Sequence, residues 1–181
     1  MKITVIGRGN VGGGLARRWE RAGHTVQELG RDGGDASGAD VVLVAVPGGE
    51  ISDALEKVSG LEDNVVIDAT NIFGDRNDEF ESLAHEVKAQ VTGPVAKSFN
   101  LNFAALYDRI DEQAERPANL FVAEDGARDV TEQLIRDAGF EPVFAGGLEN
   151  ARMLEEHLKL LMAINNAGMG QAFYRYWAPA S

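Results

Sequence analysis

Residues 2–23 read KITVIGRGNVGGGLARRWERAG, and this stretch decides the fold that the sequence predicts. The apolar run 2–6 has strand character, and a helical stretch begins at Val11. Between them lies the loop 7–12, GRGNVG, which is a Gly-x-Gly-x-x-Gly motif. The motif alone is weak, but a position directly after a strand and before a helix is the context that dinucleotide binding requires.

Each glycine of the loop has a physical role in that context. Gly7 allows the tight turn, Gly9 lets the backbone approach a pyrophosphate, and Gly12 lets the helix pack closely on the strand. The amides at the helix N-terminus then face the phosphates. We predict that the whole loop binds the pyrophosphate, namely Gly7, Arg8, Gly9, Asn10, Val11 and Gly12. The alternative is a strand–turn–helix without a ligand.

The rest of the chain alternates short apolar runs with amphipathic stretches, which is typical of a parallel sheet covered by helices. We predict an α/β fold with a doubly wound, mostly parallel Rossmann-type sheet and helices on both faces. The predicted strands are 2–6, 24–29, 41–46, 65–69, 93–98, 119–123 and 140–144. The predicted helices are 10–22, 50–58, 77–88, 102–110 and 126–138, followed by a C-terminal helical segment within 149–181.

Two departures from a simple helical or Rossmann pattern stand out. Only GRDGGDASGAD, residues 30–40, joins the second and third predicted strands, so the sheet is shortened after the second strand. A parallel crossover usually takes a dozen or more residues, and we expect a loop or one helical turn here. Gly168 and Gly170 are expected to bend or break the C-terminal helix.

Composition limits the class of protein. A length of 181 residues suits one domain, 1–181, and the net charge of −12 argues against a nucleic-acid groove or an anionic membrane surface as partner. The absence of cysteine excludes disulfides and thiolate metal sites, and the scattered His24, His85 and His157 indicate no metal site. Apolar runs such as 41–47 are far shorter than the ~20 residues of a membrane span. We expect a cytoplasmic protein.

The end of the second strand bears on the choice of cofactor. NAD-binding domains usually place an acid there for the ribose hydroxyls, whereas this chain has Leu29-Gly30-Arg31. The guanidinium of Arg31 suits a 2′-phosphate, and Arg8 could join it from the glycine turn. We therefore predict NADP(H) over NAD. Glu28 and Asp32 flank the position, so Arg31 as a solvated loop charge remains the alternative.

The sequence also resembles the NADPH-dependent F-420 reductase family, small Rossmann oxidoreductases related to the N-terminal domain of pyrroline-5-carboxylate reductases. The resemblance runs nearly end to end. It rests on GRGNVG at 7–12, GHTVQELGRD at 23–32, DVVLVAVP at 40–47, VVIDATN at 65–71, GPVAKSFN at 93–100, AGGLENARMLE at 145–155 and NAGMG at 166–170.

The resemblance implies that NADPH lies across the carboxyl ends of the strands and exchanges a hydride with the deazaflavin coenzyme F-420. By position, Val46 and Pro47 would border the nicotinamide ribose, and Asn71 would lie near the nicotinamide. The acceptor side would be lined by Pro94, Val95 and Ala96 and closed by the turn 168–170.

The sequence offers weak candidates for catalysis. Asn71 follows a strand, where open α/β sheets bind ligands, although it could instead cap the next segment. Lys97 could pair with the acceptor, or it could be a strand-end lysine in solvent. Lys159 and Asn166 share a helix face, which fits core packing with a solvent edge better than a catalytic pair. The acidic run 75–79 is interpreted as a helix cap rather than a cation site.

Alternative functions remain open at the level of sequence. One is an NADPH-dependent reductase of an imine, a flavin or a metal ion, and another is a non-catalytic module that senses NADPH. The C-terminal stretch is broadly apolar, and we expect part of it to pair with a second subunit in a homodimer.

Overall fold

The computed structural model describes residues 1–73 and 79–176. Its strands are β1 (Lys2–Ile6), β2 (Thr25–Leu29), β3 (Gly34–Asp35), β4 (Val41–Val44), β5 (Val58–Ser59), β6 (Val65–Asp68), β7 (Val95–Lys97), β8 (Ala118–Ala123) and β9 (Glu141–Phe144). Its α-helices are α1 (Asn10–Arg21), α2 (Ile51–Glu56), α3 (Leu83–Lys88), α4 (Asp125–Asp137) and α5 (Ala151–Ile164), and a 3-10 helix covers Ala104–Glu112.

Within the described residues, seven strands form one sheet in the order β2-β1-β4-β6-β7-β8-β9. Neighbouring strands are parallel except β7 and β8, which are antiparallel with Ala96 opposite Ala123. The carboxyl ends of β1, β4, β6 and β7 therefore meet the amino end of β8 at one edge. The prediction of a mostly parallel Rossmann-type α/β sheet is confirmed.

The sheet separates two hydrophobic cores, one on each face. On one face α1, α4 and the 3-10 helix pack together around Trp19, whose indole Nε1 donates to the Leu134 carbonyl at 2.9 Å. On the other face α2, α3 and α5 cover alternate residues of the same strands. Because both faces are covered, Val41–Val44 is buried throughout, which explains its continuous apolar sequence.

The short connection after β2 is a loop, as predicted, but it contains the two-residue strand β3, which the sequence did not predict. The chain turns tightly, with the amide of Gly33 donating to the Gly30 carbonyl at 3.1 Å. It then forms β3, which pairs in parallel with β5. Gly33 has a φ of +73°, and a Cβ there would overlap the backbone carbonyl of Lys57, so only glycine fits this approach.

Several predicted helices have different bounds or character. Within the described part of the stretch predicted at 77–88, residues 79–88, the α-helix covers Leu83–Lys88, and the Ser82 side chain caps its first turn by accepting from the His85 amide. The run 75–79, interpreted as a cap, lies outside the described residues except for Glu79. The stretch 102–110 forms the 3-10 helix over Ala104–Glu112 instead of an α-helix.

The C-terminal helix ends at the predicted glycines. After α5 a wide turn covers Asn165–Met169, and Gly168 and Gly170 both adopt positive φ angles, +107° and +76°. The chain then returns across the amino end of β8, where the Ala118 amide donates to the Tyr174 carbonyl at 2.9 Å. The predicted break is confirmed. Residue 177 and those beyond it lie outside the described part of the chain.

The outer face of α5 exposes Met153, Leu160 and Ile164. The expected homodimer through this stretch stays a prediction. No helix in the described part of the chain is long and apolar enough to cross a membrane. Across residues 1–73 and 79–176, no group of three His, Asp or Glu side chains is arranged to hold a metal ion.

Lys97 belongs to a buried ionic cluster beneath the carboxyl edge of the sheet. Its ammonium lies 2.6 Å from Asp68 Oδ2 and 3.2 Å from Glu155 Oε1, and it donates to the Thr70 carbonyl at 3.0 Å. Glu155 Oε1 also accepts from the Leu83 amide at 2.8 Å. Lys97 is fully buried, so it is not the strand-end lysine in solvent that the sequence allowed. It joins β6, β7, α3 and α5.

We expect Lys97→Met to lower the free energy of unfolding by about 3–5 kcal/mol, because the Asp68 and Glu155 carboxylates would remain buried without the ammonium. Urea denaturation measures the change. Lys159→Met is the matched control, since Lys159 forms an exposed pair with Glu156 and its loss should cost less than about 1 kcal/mol. Equal losses in the two variants would contradict a structural role for Lys97.

Candidate functional site

The glycine turn brings β1, α1 and the end of β4 into direct backbone contact. Gly7 has a φ of +106°, and a Cβ there would overlap the Ala45 carbonyl. A Cβ at Gly12 would overlap the carbonyl oxygen of Gly7. Gly9 differs, because among the described residues no atom lies within 4 Å of the position that its Cβ would take. Space for a ligand therefore opens at Gly9, as its predicted role requires.

The first turn of α1 faces this space with free polar backbone groups. The helix begins at Asn10 after Gly9, which provides no side chain to cap it, and residues 10–13 include no acid. The leading amides of a helix have no partner within the helix and carry partial positive charge. This terminus can therefore accept an anion such as a phosphate.

Three neighbouring hollows form a trough along this edge. The Arg31 hollow, about 630 Å³, lies between the glycine turn and the turn 30–33 on one side and α2 on the other. The Asn71 hollow, about 470 Å³, shares Gly9, Ala45, Val46 and Pro47 with it. The Lys159 hollow, about 430 Å³, shares Phe73, Leu158 and Met162 with the Asn71 hollow.

The Arg31 hollow carries the cationic groups that the sequence predicted for it. Arg8 and Arg31 are both exposed and both line it. The guanidinium of Arg8 lies directly over Gly30, where a Cβ would overlap it. Glycine at the end of β2 therefore allows Arg8 to reach this position.

Acids are distributed unequally around these arginines. Glu28 lines a fourth hollow, together with Arg8, Arg17 and Gly13. Within the Arg31 hollow the acids are Glu50 and Asp53, and Asp53 Oδ2 pairs with the Lys57 ammonium at 2.7 Å. Arg8 therefore lines both hollows, whereas Glu28 is not among the residues that line the Arg31 hollow.

Asn71 lies in the Asn71 hollow, at the carboxyl end of β6 as predicted. Its side-chain Nδ2 donates to the Asn100 carbonyl at 2.6 Å, and its Oδ1 accepts from Asn100 Nδ2 at 3.2 Å. These two bonds fix its orientation, so the side chain pairs with Asn100 and does not serve as the helix cap that the sequence left open.

The walls of the Asn71 hollow are largely apolar. The residues that line it include Phe73, Phe99, Phe103, Val11, Leu101, Leu158 and Met162, together with Asn100 and Asn102. Phe99 has a φ of +62°, which is rare for a residue with a side chain. Its ring packs edge-on against Trp19 at 5.7 Å, and this buried contact offsets the backbone strain.

Val95 and Ala96 do not line the trough, contrary to the prediction. Both are fully buried within β7, and Pro94 precedes the amino end of that strand, at the opposite edge of the sheet. The segment 99–104, which follows the carboxyl end of β7, lines the Asn71 hollow in their place. The rule that ligands bind outside the carboxyl ends of strands could have found this segment, which begins at the end of the quoted GPVAKSFN motif.

The turn 168–170, which was predicted to close the acceptor pocket, lies at the end of the wide turn that follows α5, and Met169 there is 70% exposed. Asn166 and Lys159 instead both line the Lys159 hollow.

Four residues of the site were not predicted from the sequence: Lys57 and Ala54 in the Arg31 hollow, and Leu158 and Met162 in the Asn71 hollow. No motif marks these four, because long-range packing of α2 and α5 brings them to the site.

Protein-family models and curated proteins give no match to this sequence. Among solved structures, a proposed F420-dependent NADP-reductase from Arthrobacter sp. FB24 matches with a TM-score of 0.76 and 19% identity, over 98% of this chain and 100% of that one. The hypothetical protein SMa0349 from Sinorhizobium meliloti matches with a TM-score of 0.68 and 26% identity, over 82% of this chain and 86% of that one.

A reductive aminase from Aspergillus terreus, solved with NADPH4, cyclohexanone and allyl amine, matches with a TM-score of 0.67 and 14% identity. The match covers 93% of this chain but 62% of that protein, so this chain spans about three fifths of its length. Together these likenesses show that the chain has the Rossmann-like α/β fold of this group of structures.

Proposed function

We propose that this protein is an NADPH-dependent oxidoreductase that transfers a hydride between NADP(H) and a second redox cofactor, the deazaflavin coenzyme F-420. One observation carries the proposal. The trough joins the Arg31 hollow, which is lined by the exposed Arg8 and Arg31, to the apolar Asn71 hollow. The glycine turn lies between these two hollows. This is the order of phosphate-ribose, pyrophosphate and ring sites that a bound NADPH needs.

The residues fit the cofactor at each point of the trough. Gly9 leaves room for the pyrophosphate at the N-terminus of α1, and Arg8 and Arg31 offer guanidinium groups to a 2′-phosphate. Val46 and Pro47 line both hollows, which suits the ribose between pyrophosphate and nicotinamide. Asn71, held by Asn100, offers a fixed carboxamide beside the ring site.

The apolar hollow supports hydride transfer rather than proton chemistry. When bound, NADPH would supply a hydride from C4 of its nicotinamide to the acceptor ring, and the acceptor would take the accompanying proton from bulk solvent outside the apolar hollow. Such a step depends on proximity and on the exclusion of water, which the phenylalanines and the α5 side chains around the hollow favour.

The names of the structural neighbours support reduction with NADPH, but they differ in the acceptor. One is described as a proposed F420-dependent NADP-reductase, and others are imine reductases or reductive aminases solved with NADPH or NADPH4. Reduction of an imine is therefore the second candidate. Fold likeness at these identities does not select between the two acceptors.

Gly9→Ala should weaken NADPH binding at least about tenfold, because the new methyl group enters the space for the pyrophosphate. Its fold should tolerate the change, with a loss of no more than about 1 kcal/mol at the helix N-cap. Isothermal titration calorimetry measures the affinity. The control is Gly49→Ala, because among the described residues nothing lies within 4 Å of its Cβ position either. Unchanged binding in Gly9→Ala would place the pyrophosphate elsewhere.

Arg31→Ala should raise the Kd for NADPH about 10- to 100-fold, since charge-assisted hydrogen bonds contribute about 1.5–3 kcal/mol. The Kd for NADH should stay the same, because NADH has no 2′-phosphate. Arg17→Ala is the matched control, an exposed arginine that lines the neighbouring hollow beside Glu28. Equal losses for NADPH and NADH would contradict the assigned role of Arg31.

A spectrophotometric assay with NADPH and oxidised F-420 tests the reaction itself. We expect the deazaflavin absorbance to fall only when the protein is present, and at least about tenfold faster with NADPH than with NADH. The Gly9→Ala variant should be slower at the same NADPH concentration. Oxidation of NADPH by a cyclic imine with no reduction of F-420 would favour the second candidate, and tight NADPH binding with no acceptor would favour a sensing module.

A further inference from the structure

Phe73 is an unusually exposed aromatic residue at the junction of two hollows. It exposes 78% of its surface, and it lines both the Asn71 hollow and the Lys159 hollow. Exposure of a large apolar side chain to water is unfavourable. An exposed aromatic ring beside a cleft therefore indicates a surface that contacts a ligand.

The Asn71 hollow and the Lys159 hollow adjoin each other along one face of α5. Leu158 and Met162 line both of them, as Phe73 does. The joined space therefore runs between Phe73 and α5, and it is longer than the ring of a nicotinamide requires.

The chemical character changes along this path. The Asn71 hollow is walled mostly by phenylalanine and aliphatic side chains, whereas the Lys159 hollow adds Lys159, Glu156 and Asn166. Lys159 is exposed, and its ammonium lies 2.5 Å from Glu156 Oε2. Lys159 on α5 and Asn166 in the wide turn after it both line this hollow, so both can offer hydrogen-bond donors to the same ligand.

We propose that the redox acceptor lies across Phe73, with a flat conjugated ring stacked on that side chain in the Asn71 hollow and a polar extension in the Lys159 hollow beside Lys159 and Asn166. The inference rests on the proposed function, because it concerns the acceptor of that reaction. Stacking on an aromatic face suits any planar ring, and the polar end of the path then selects rings that carry a hydrogen-bonding chain.

The first test removes the stacking surface. Phe73→Ala should raise the Kd for oxidised F-420 about tenfold, measured by equilibrium dialysis with NADP⁺ present and no turnover, and should raise the KM by a similar factor. Phe73→Trp should restore the affinity, and in both variants the Kd for NADPH should change less than the Kd for F-420. Leu160→Ala is the matched control, since Leu160 is an exposed apolar residue on the outer face of α5.

The second test removes the polar contact. The probes are F-420 and the same deazaflavin ring without its charged side chain. Lys159→Ala should weaken F-420 binding about three- to tenfold and leave binding of the bare ring unchanged. Arg152→Ala is the control, because Arg152 is an exposed cation earlier on the same helix.

The outcomes separate this inference from the proposed function. If the wild-type protein reduces F-420 but Phe73→Ala binds it as tightly as the wild type does, the stacking role is wrong and the reaction stands. If Lys159→Ala affects the bare ring and F-420 equally, the extension does not lie beside Lys159. If the wild-type protein neither binds nor reduces F-420, the proposed acceptor is wrong, and the inference about its position falls with it.

Discussion

The close backbone contact at Gly7 and Gly12 is the constraint on which the cleft depends. A side chain at Gly12 would overlap the Gly7 carbonyl, and a side chain at Gly7 would overlap the carbonyl of Ala45. Helix α1 can therefore begin directly against the end of β1, with its first amides facing the trough. Gly9, between them, meets no such obstacle among the described residues and leaves the space that a ligand would fill.

The opposite wall of the trough depends on a buried ionic interaction beneath it. The buried ammonium of Lys97 lies between Asp68 on β6 and Glu155 on α5, and Glu155 also accepts from the amide that begins α3. Because Glu155 is fixed in this way, Leu158 and Met162, one and two turns further along α5, face the Asn71 hollow. The buried ionic cluster thus fixes the position of α5 and of the apolar wall that α5 forms. Substitution of the charged residues in the cluster would therefore change the site through α5.

Local patterns in the sequence predicted the first strand, the glycine turn and the positions of Arg31 and Asn71, since each follows from the carboxyl-edge rule or from spacing along one element. The family resemblance supplied Val46 and Pro47, and it also placed Val95 and Ala96 at the acceptor side. Val95 and Ala96 instead lie inside β7, and the segment after that strand lines the cleft. The pairing of β3 with β5, the burial of Lys97 and the positions of Phe73, Leu158 and Met162 depend on contacts between distant parts of the chain, which periodicity does not encode.

A crystal structure of the protein with bound NADP⁺ tests the central claim most directly. The account predicts density for the 2′-phosphate within hydrogen-bond distance of the Arg31 guanidinium, the pyrophosphate over Gly9, and the nicotinamide ring in the Asn71 hollow. Density for the ribose phosphate away from both Arg8 and Arg31, or for the nicotinamide outside the Asn71 hollow, would contradict it.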